Sequence, residues 1–181
     1  YFQSFFKFEV KESRFNISTE RLMKKFGLIG YPLGHSFSEK YFSEKFINEG
    51  LEDHKYELFP LQNLSDFLKL LKEEQELCGL NVTIPHKIGV MYYLDEVDPV
   101  AKEVDAVNCI KFTKKNPVKS IFSGELCTMT DNKPQLKGFN TDVYGFELSL
   151  RPLLEPQHKK ALILGNGGAA RAVKYVLEKL K

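Results

Sequence analysis

Asn81, Thr83 and Lys87 alternate along the run Asn81-Val82-Thr83-Ile84-Pro85-His86-Lys87, and their types suit hydroxyl binding and proton movement. Asn and Thr exchange hydrogen bonds with hydroxyls, and an ammonium brings a proton or a fixed charge. The apolar residues 77–82 just before them read as a buried strand. Pro85 ends its pairing, because proline lacks an N–H and restricts its predecessor. The three polar side chains are therefore expected at a strand's carboxyl end, where open α/β sheets place ligands. Taken alone, the run is equally a strand end followed by a solvated lysine.

Three further stretches carry chemistry. Ser36-Phe37-Ser38 opens a helix, and two hydroxyls beside free first-turn N–H groups make a seat for a carboxylate, although a plain cap needs only one serine. Gly138-Phe139-Asn140-Thr141-Asp142 puts an acid at a strand–helix junction, where capping alone would also account for it. If Asp142 and Lys87 converge, the carboxylate holds the ammonium in place across a ligand-sized gap. Such a lysine can protonate a carbonyl oxygen as hydride arrives and take the proton back in reverse. Finally, Gly165-Asn166-Gly167-Gly168-Ala169-Ala170 follows an apolar run at 161–164 and opens a helix, which is the dinucleotide fingerprint in its G-x-G-x-x-A form.

The elements that must position these groups alternate. Residues 26–30 read as a first strand and 56–59 as a second, closed by Pro60. Between them a helix runs from a Ser36 or Ser38 cap to about Asn48, with Gly50 as its stop. Asn63 caps a second helix with Leu64, Phe67, Leu68 and Leu71 on its apolar face. Short helices are expected at 88–94 and 99–104, strands at 106–112 and 136–139, and a helix at 143–150. Residues 114–134 are polar and aperiodic, hence a hairpin or extended excursion, and 151–160 form a linker. A last strand covers 161–164, and Ala169, Val173, Val176, Leu177 and Leu180 mark the inner face of the last helix. This order implies an α/β fold, a mostly parallel sheet with helices on both faces, followed by the beginning of a Rossmann-type dinucleotide-binding domain.

Three domains or segments are expected: 1–22 as a tag remnant and leader, 23–154 as a substrate-binding catalytic domain, and 155–181 as the start of the dinucleotide domain. Tyr1-Phe2-Gln3-Ser4 resembles the remnant of a cleavable tag. Phe5, Phe6, Phe8 and Val10 could add an edge strand or pack on a neighbour. The 181 residues carry a net charge of +2 and no apolar run of membrane-spanning length. Nucleic-acid and membrane partners are therefore not expected. Three cysteines without a Cys-x-x-Cys and four scattered histidines argue for a reducing, cytoplasmic setting and against a metal site.

Together these residues resemble the shikimate dehydrogenase family. The resemblance runs from Met23 to Lys181 and rests on five motifs in the family's order: Ser36-x-Ser38, Asn81-Val82-Thr83-x-Pro85-x-Lys87, Ala106-Val107-Asn108, Gly138-x-Asn140-Thr141-Asp142 and the 165–170 loop. It implies reversible reduction of 3-dehydroshikimate to shikimate, usually with NADPH, on the route to aromatic amino acids. It implies Lys87 and Asp142 as the catalytic pair and Ser36 and Ser38 on the substrate carboxylate. Asn81, Thr83 and Asn108 would meet ring hydroxyls. Gly165, Asn166, Gly167, Gly168 and Ala169 would bind the phosphates of NADP. NAD stays open, because the residue that reads the ribose would lie past Lys181. Rivals are a quinate/shikimate enzyme using NAD and a non-catalytic shikimate-binding domain. Cys109 stands where the family usually has Thr, and the segment between Asn108 and Gly138 is longer than the family's. The resemblance further implies a cofactor domain cut short at Lys181, hence little activity in the 181-residue form, and leaves a homodimer open.

Overall fold

The computed structural model describes residues 23–34, 36–113, 118–122, 125–129 and 133–180, with 118–122 and 125–129 described by their backbone alone. The leader at 1–22, with Phe5, Phe6, Phe8 and Val10, lies outside the described residues. Six strands form one sheet: β1 (Lys24–Gly30), β2 (His54–Pro60), β3 (Leu77–Val82), β4 (Glu96–Val97), β5 (Cys109–Thr113) and β8 (Gln135–Phe139), ordered β2-β1-β3-β5-β8-β4. β1 pairs in parallel with β2 and β3, and β4 with β8. β5 alone runs the other way, antiparallel to β3 and β8. The expected mostly parallel sheet is therefore present. The excursion after β5 contains the hairpin of β6 (Val118–Phe122) and β7 (Glu125–Met129).

Alternation along the strands sends side chains to two faces. Ile29, Leu80, Val82, Ile110 and Leu136 face one side, under Phe67 and Leu70 of α2 (Phe67–Glu73), Val90 of a 3₁₀ turn (Gly89–Tyr93) and Ala101 of α3 (Pro99–Val104). Phe26, Leu28 and Tyr56 face the other side, under Phe42 of α1 (Phe37–Asn48). A third cluster joins Val104 and Ala106 to Val143 of α4 (Asp142–Leu150) and to Ala172 and Val176 of α5 (Gly168–Lys179). No helix of the described residues is long and apolar enough to cross a membrane.

Four expectations shift. Leu70, not Leu68, enters the core, and Leu68 is exposed. The segment after Asn63 starts with a 3₁₀ turn (Leu64–Asp66), whose tighter winding rotates the apolar face of α2. β5 begins at Cys109 rather than 106, because Ala106 and Val107 bond outside the sheet, with Ala106 N–H on Ala101 O of α3 and Val107 N–H on Lys87 O of the loop after β3 at 2.7 Å. No strand forms at 161–164, where Leu162 is 84% and Leu164 88% exposed. A strand persists only beside a hydrogen-bonded neighbour, and none of the eight described strands runs alongside it. In α5 the buried face is Ala172 and Val176, whereas Ala169 is exposed. Packing on α3 and α4 sets that rotation, not the apolar count.

α5 is also held electrostatically. Glu147 of α4 accepts from Arg151 Nε at 3.0 Å and from Lys179 Nζ at 3.1 Å, and Arg171 Nη1 donates to Asp105 O at 3.0 Å and to its carboxylate. Bonds from Arg151 and then Lys179 hold the Glu147 carboxyl below its ordinary value of 4.5. The stabilisation is complete above that value and is lost as pH falls through the lowered one. We therefore expect amide-exchange protection of α5, corrected for intrinsic rates, to fall as pH drops below 4.5, and Glu147→Gln to remove most of that dependence.

Candidate functional site

The sheet's polarity assembles the site. β1, β3 and β8 end at one edge, and β5, running oppositely, begins there. Asn81 pairs with Cys109, and Cys109 with Phe139, so Asn81, Asn108 and the turn after Phe139 stand in a row. Backbone bonds lock the row: Val82 N–H to Asn108 O at 2.8 Å, Asn108 N–H to Phe139 O at 3.0 Å, and Thr83 N–H to Ile29 O at 2.9 Å. Tyr31-Pro32 and Ile84-Pro85, both cis, lie in neighbouring loops joined by Tyr31 N–H on Ile84 O.

Lys87 and Asp142, 55 residues apart, meet here with Nζ donating to Oδ2 at 2.6 Å. They touch directly instead of facing across a gap, as opposite charges do with nothing between them. Their side chains keep 14% and 31% of their exposure, so a ligand can still reach the pair. Asp142 Oδ1 accepts from Asn108 Nδ2 at 2.7 Å. Asn108 Nδ2 also donates to Thr141 Oγ1 at 2.9 Å, and its Oδ1 accepts from Thr141 N–H at 2.8 Å. Both hydrogens and the oxygen of that amide are thus engaged, and Asn108 acts first as the brace of Asp142. Asn140, almost wholly buried, fixes the junction beneath, donating to Ala106 O at 2.9 Å and accepting from Val143 N–H at 3.3 Å.

A second group adjoins the first. Ser36 caps α1, its Oγ accepting from Ser38 N–H at 3.3 Å. Tyr56 of β2, buried and stacked on Phe42, donates its hydroxyl to Asn81 Oδ1 at 2.9 Å and is hydrogen-bonded by Ser38. Burial holds the Tyr56 hydroxyl above its ordinary range, so it stays protonated. Burial also pushes the neighbouring Cys109 thiol up to about 12, leaving it neutral. The methyl of Thr83 lies over Gly30, where an added Cβ would come within 2.4 Å of it.

The glycine loop meets the acid–amine pair. Gly165 has φ +122°, which favours glycine, and Gly167 precedes α5 without a side-chain cap. The first-turn N–H groups of Gly168, Ala169 and Ala170 thus lack a capping side chain, as an anion site needs, and no acid lies in that turn. A Cβ on Gly168 would stand 2.7 Å from Lys87 Cβ, so only glycine lets helix and lysine approach. These residues fit a phosphate-bearing cofactor. Tyr56 escaped the sequence reading, because a tyrosine in an apolar strand looks like core.

Fold and site define a mixed α/β substrate-binding domain with an acid–amine pair at its strand ends. Residues 28–110 match the family model described as the shikimate dehydrogenase substrate binding domain. A shikimate dehydrogenase (NADP(+)) of Bacillus cytotoxicus is 38% identical over 152 residues, covering 82% of this chain and 47% of that protein. One of Halothermothrix orenii is 39% identical over 156 residues, covering 83% and 46%. The solved shikimate 5-dehydrogenase of Thermus thermophilus, in complex with shikimate, superposes with a TM-score of 0.67 at 31% identity, covering 87% of this chain and 53% of that one. The likeness to shikimate dehydrogenase thus holds over most of the chain, and residues 28–110 match the model of that family's substrate-binding domain. The chain spans about half the length of the curated relatives it matches. Ser36, Ser38, Asn81, Thr83, Lys87 and Asn108 fall inside the matched range, whereas Asp142 and the glycine loop lie beyond it.

Proposed function

We propose that the protein carrying this chain is a shikimate dehydrogenase that interconverts 3-dehydroshikimate and shikimate with NADP. The observation that carries this reading is the 2.6 Å contact of Lys87 Nζ with Asp142 Oδ2 at the strand ends, with Asn108 as second donor on that carboxylate. Lys87 gives a proton to the carbonyl oxygen during reduction and removes it from the hydroxyl during oxidation, while Asp142 holds the ammonium on line. The Ser36 and Ser38 hydroxyls at the start of α1 seat the substrate carboxylate. Asn81 and Thr83 meet ring hydroxyls, and Asn108 stands beside them, engaged chiefly with Asp142. Gly165, Asn166, Gly167, Gly168 and Ala169 hold the cofactor phosphates. The bound cofactor would supply the hydride as NADPH during reduction and accept it as NADP+ during oxidation. In this reading 23–154 is the substrate domain and 155–181 opens the cofactor domain.

The names of the relatives support the reading, as does the Thermus thermophilus enzyme solved in complex with NADP(H) and shikimate. The test is the intact native protein assayed for NADP reduction in the presence of shikimate. Shikimate-dependent formation of NADPH is expected, and absence of turnover with shikimate would overturn the assignment.

A further inference from the structure

We infer that Tyr56 is a positioning residue for the substrate: its hydroxyl fixes Asn81 Oδ1 and thereby aims the Asn81 amide nitrogen at a ligand oxygen. The inference deepens the proposed shikimate site and rests on it. An asparagine amide can turn by half a rotation with little change of shape, and its two ends offer opposite hydrogen-bonding characters. The partner behind the amide selects one end. Tyr56 supplies that partner from two strands away, reaching across β1 from β2 to β3.

The hydrogen-bond order decides the direction. The phenolic proton goes to Asn81 Oδ1 at 2.9 Å, with Ser38 beside the same phenol. Asn81 therefore presents its nitrogen outward, and that nitrogen donates to no protein group among the described residues. No buried side-chain nitrogen or oxygen among them lacks a partner, in keeping with a nitrogen open to solvent or ligand. Tyr56 itself cannot drift, because its ring is 5% exposed and stacked on Phe42 with centroids 4.6 Å apart. One buried hydroxyl thus sits between the first turn of α1 and the end of β3, beside the serine proposed for the carboxylate and the asparagine proposed for a ring hydroxyl.

The test is shikimate titration of the intact native protein by calorimetry, with thermal unfolding alongside. Tyr56→Phe keeps the stacked ring and removes only the hydroxyl. We expect its Kd to rise about tenfold, the worth of one lost hydrogen bond. In turnover the loss should sit in KM, with kcat within about twofold, because no reacting atom is touched. In a double-mutant cycle, Tyr56→Phe should add nothing once Asn81→Ala is present. A merely structural tyrosine would lower the melting temperature and leave Kd and the cycle unmoved. If wild type binds shikimate and Tyr56→Phe binds it equally well, or the two substitutions multiply independently, this inference fails while the assigned function stands. If wild type binds no shikimate, both fail.

Discussion

Lys87→Ala in the intact native protein is expected to cut turnover about 10³-fold while shikimate still binds, a loss typical of removing a general acid–base group. Lys87 is the only cation within ion-pair distance of Asp142 among the described residues, and no second ammonium stands ready to replace it. Its removal leaves the walls of the site intact. Asn81 remains held by Tyr56, Ser36 still caps α1, and Asn108 still braces Asp142. Binding therefore persists, weakened by the lost ammonium contact alone. The loss should appear in kcat, read from NADPH absorbance, against a Kd read by calorimetry. The space left beside Gly168, where the Lys87 side chain beyond Cβ now packs, also suggests that added primary alkylamines restore part of the rate. Turnover within tenfold of wild type would remove Lys87 from the chemistry.

How much of this site was legible in the sequence depends on how local the signal is. Pro85 ends β3, Ser36 caps α1 and Pro99 opens α3, all as expected, because each acts within a few residues. The convergence of Lys87 with Asp142 was legible only as a condition. Nothing in either motif says that β5 runs backwards, yet that reversal puts Asn108 and the turn after β8 at the same edge as Asn81. Tyr56 was unreadable for the same reason, since its partner lies 25 residues away on a strand that is not its neighbour. The rotation of α5 depends on the surfaces of α3 and α4, which a pattern of apolar residues does not contain. The apolar run at 161–164 shows the limit of composition: residues suited to a strand make one only where a neighbouring strand offers its N–H and C=O groups.

Asp142→Asn is the more telling substitution of the pair, because it changes charge and hydrogen-bond direction without changing shape. The two carboxylate oxygens each accept from a donor, Oδ1 from Asn108 Nδ2 at 2.7 Å and Oδ2 from Lys87 Nζ at 2.6 Å. An amide offers one oxygen and one NH₂ group, so in either orientation one existing donor faces another donor. If the amide oxygen keeps Lys87, its nitrogen confronts Asn108, which cannot turn without giving up its bonds to Thr141. If the oxygen keeps Asn108, the ammonium loses its carboxylate partner and swings away from the strand ends. Both outcomes misplace the proton donor, and we expect kcat to fall about 10²- to 10³-fold, close to the loss from removing a general acid–base group outright. If Lys87 and Asp142 act as the proposed unit, the double variant Lys87→Ala with Asp142→Asn is expected to be hardly slower than Lys87→Ala alone. Independent, multiplying losses would mean that the carboxylate touches substrate on its own account and that the contact with Lys87 is incidental.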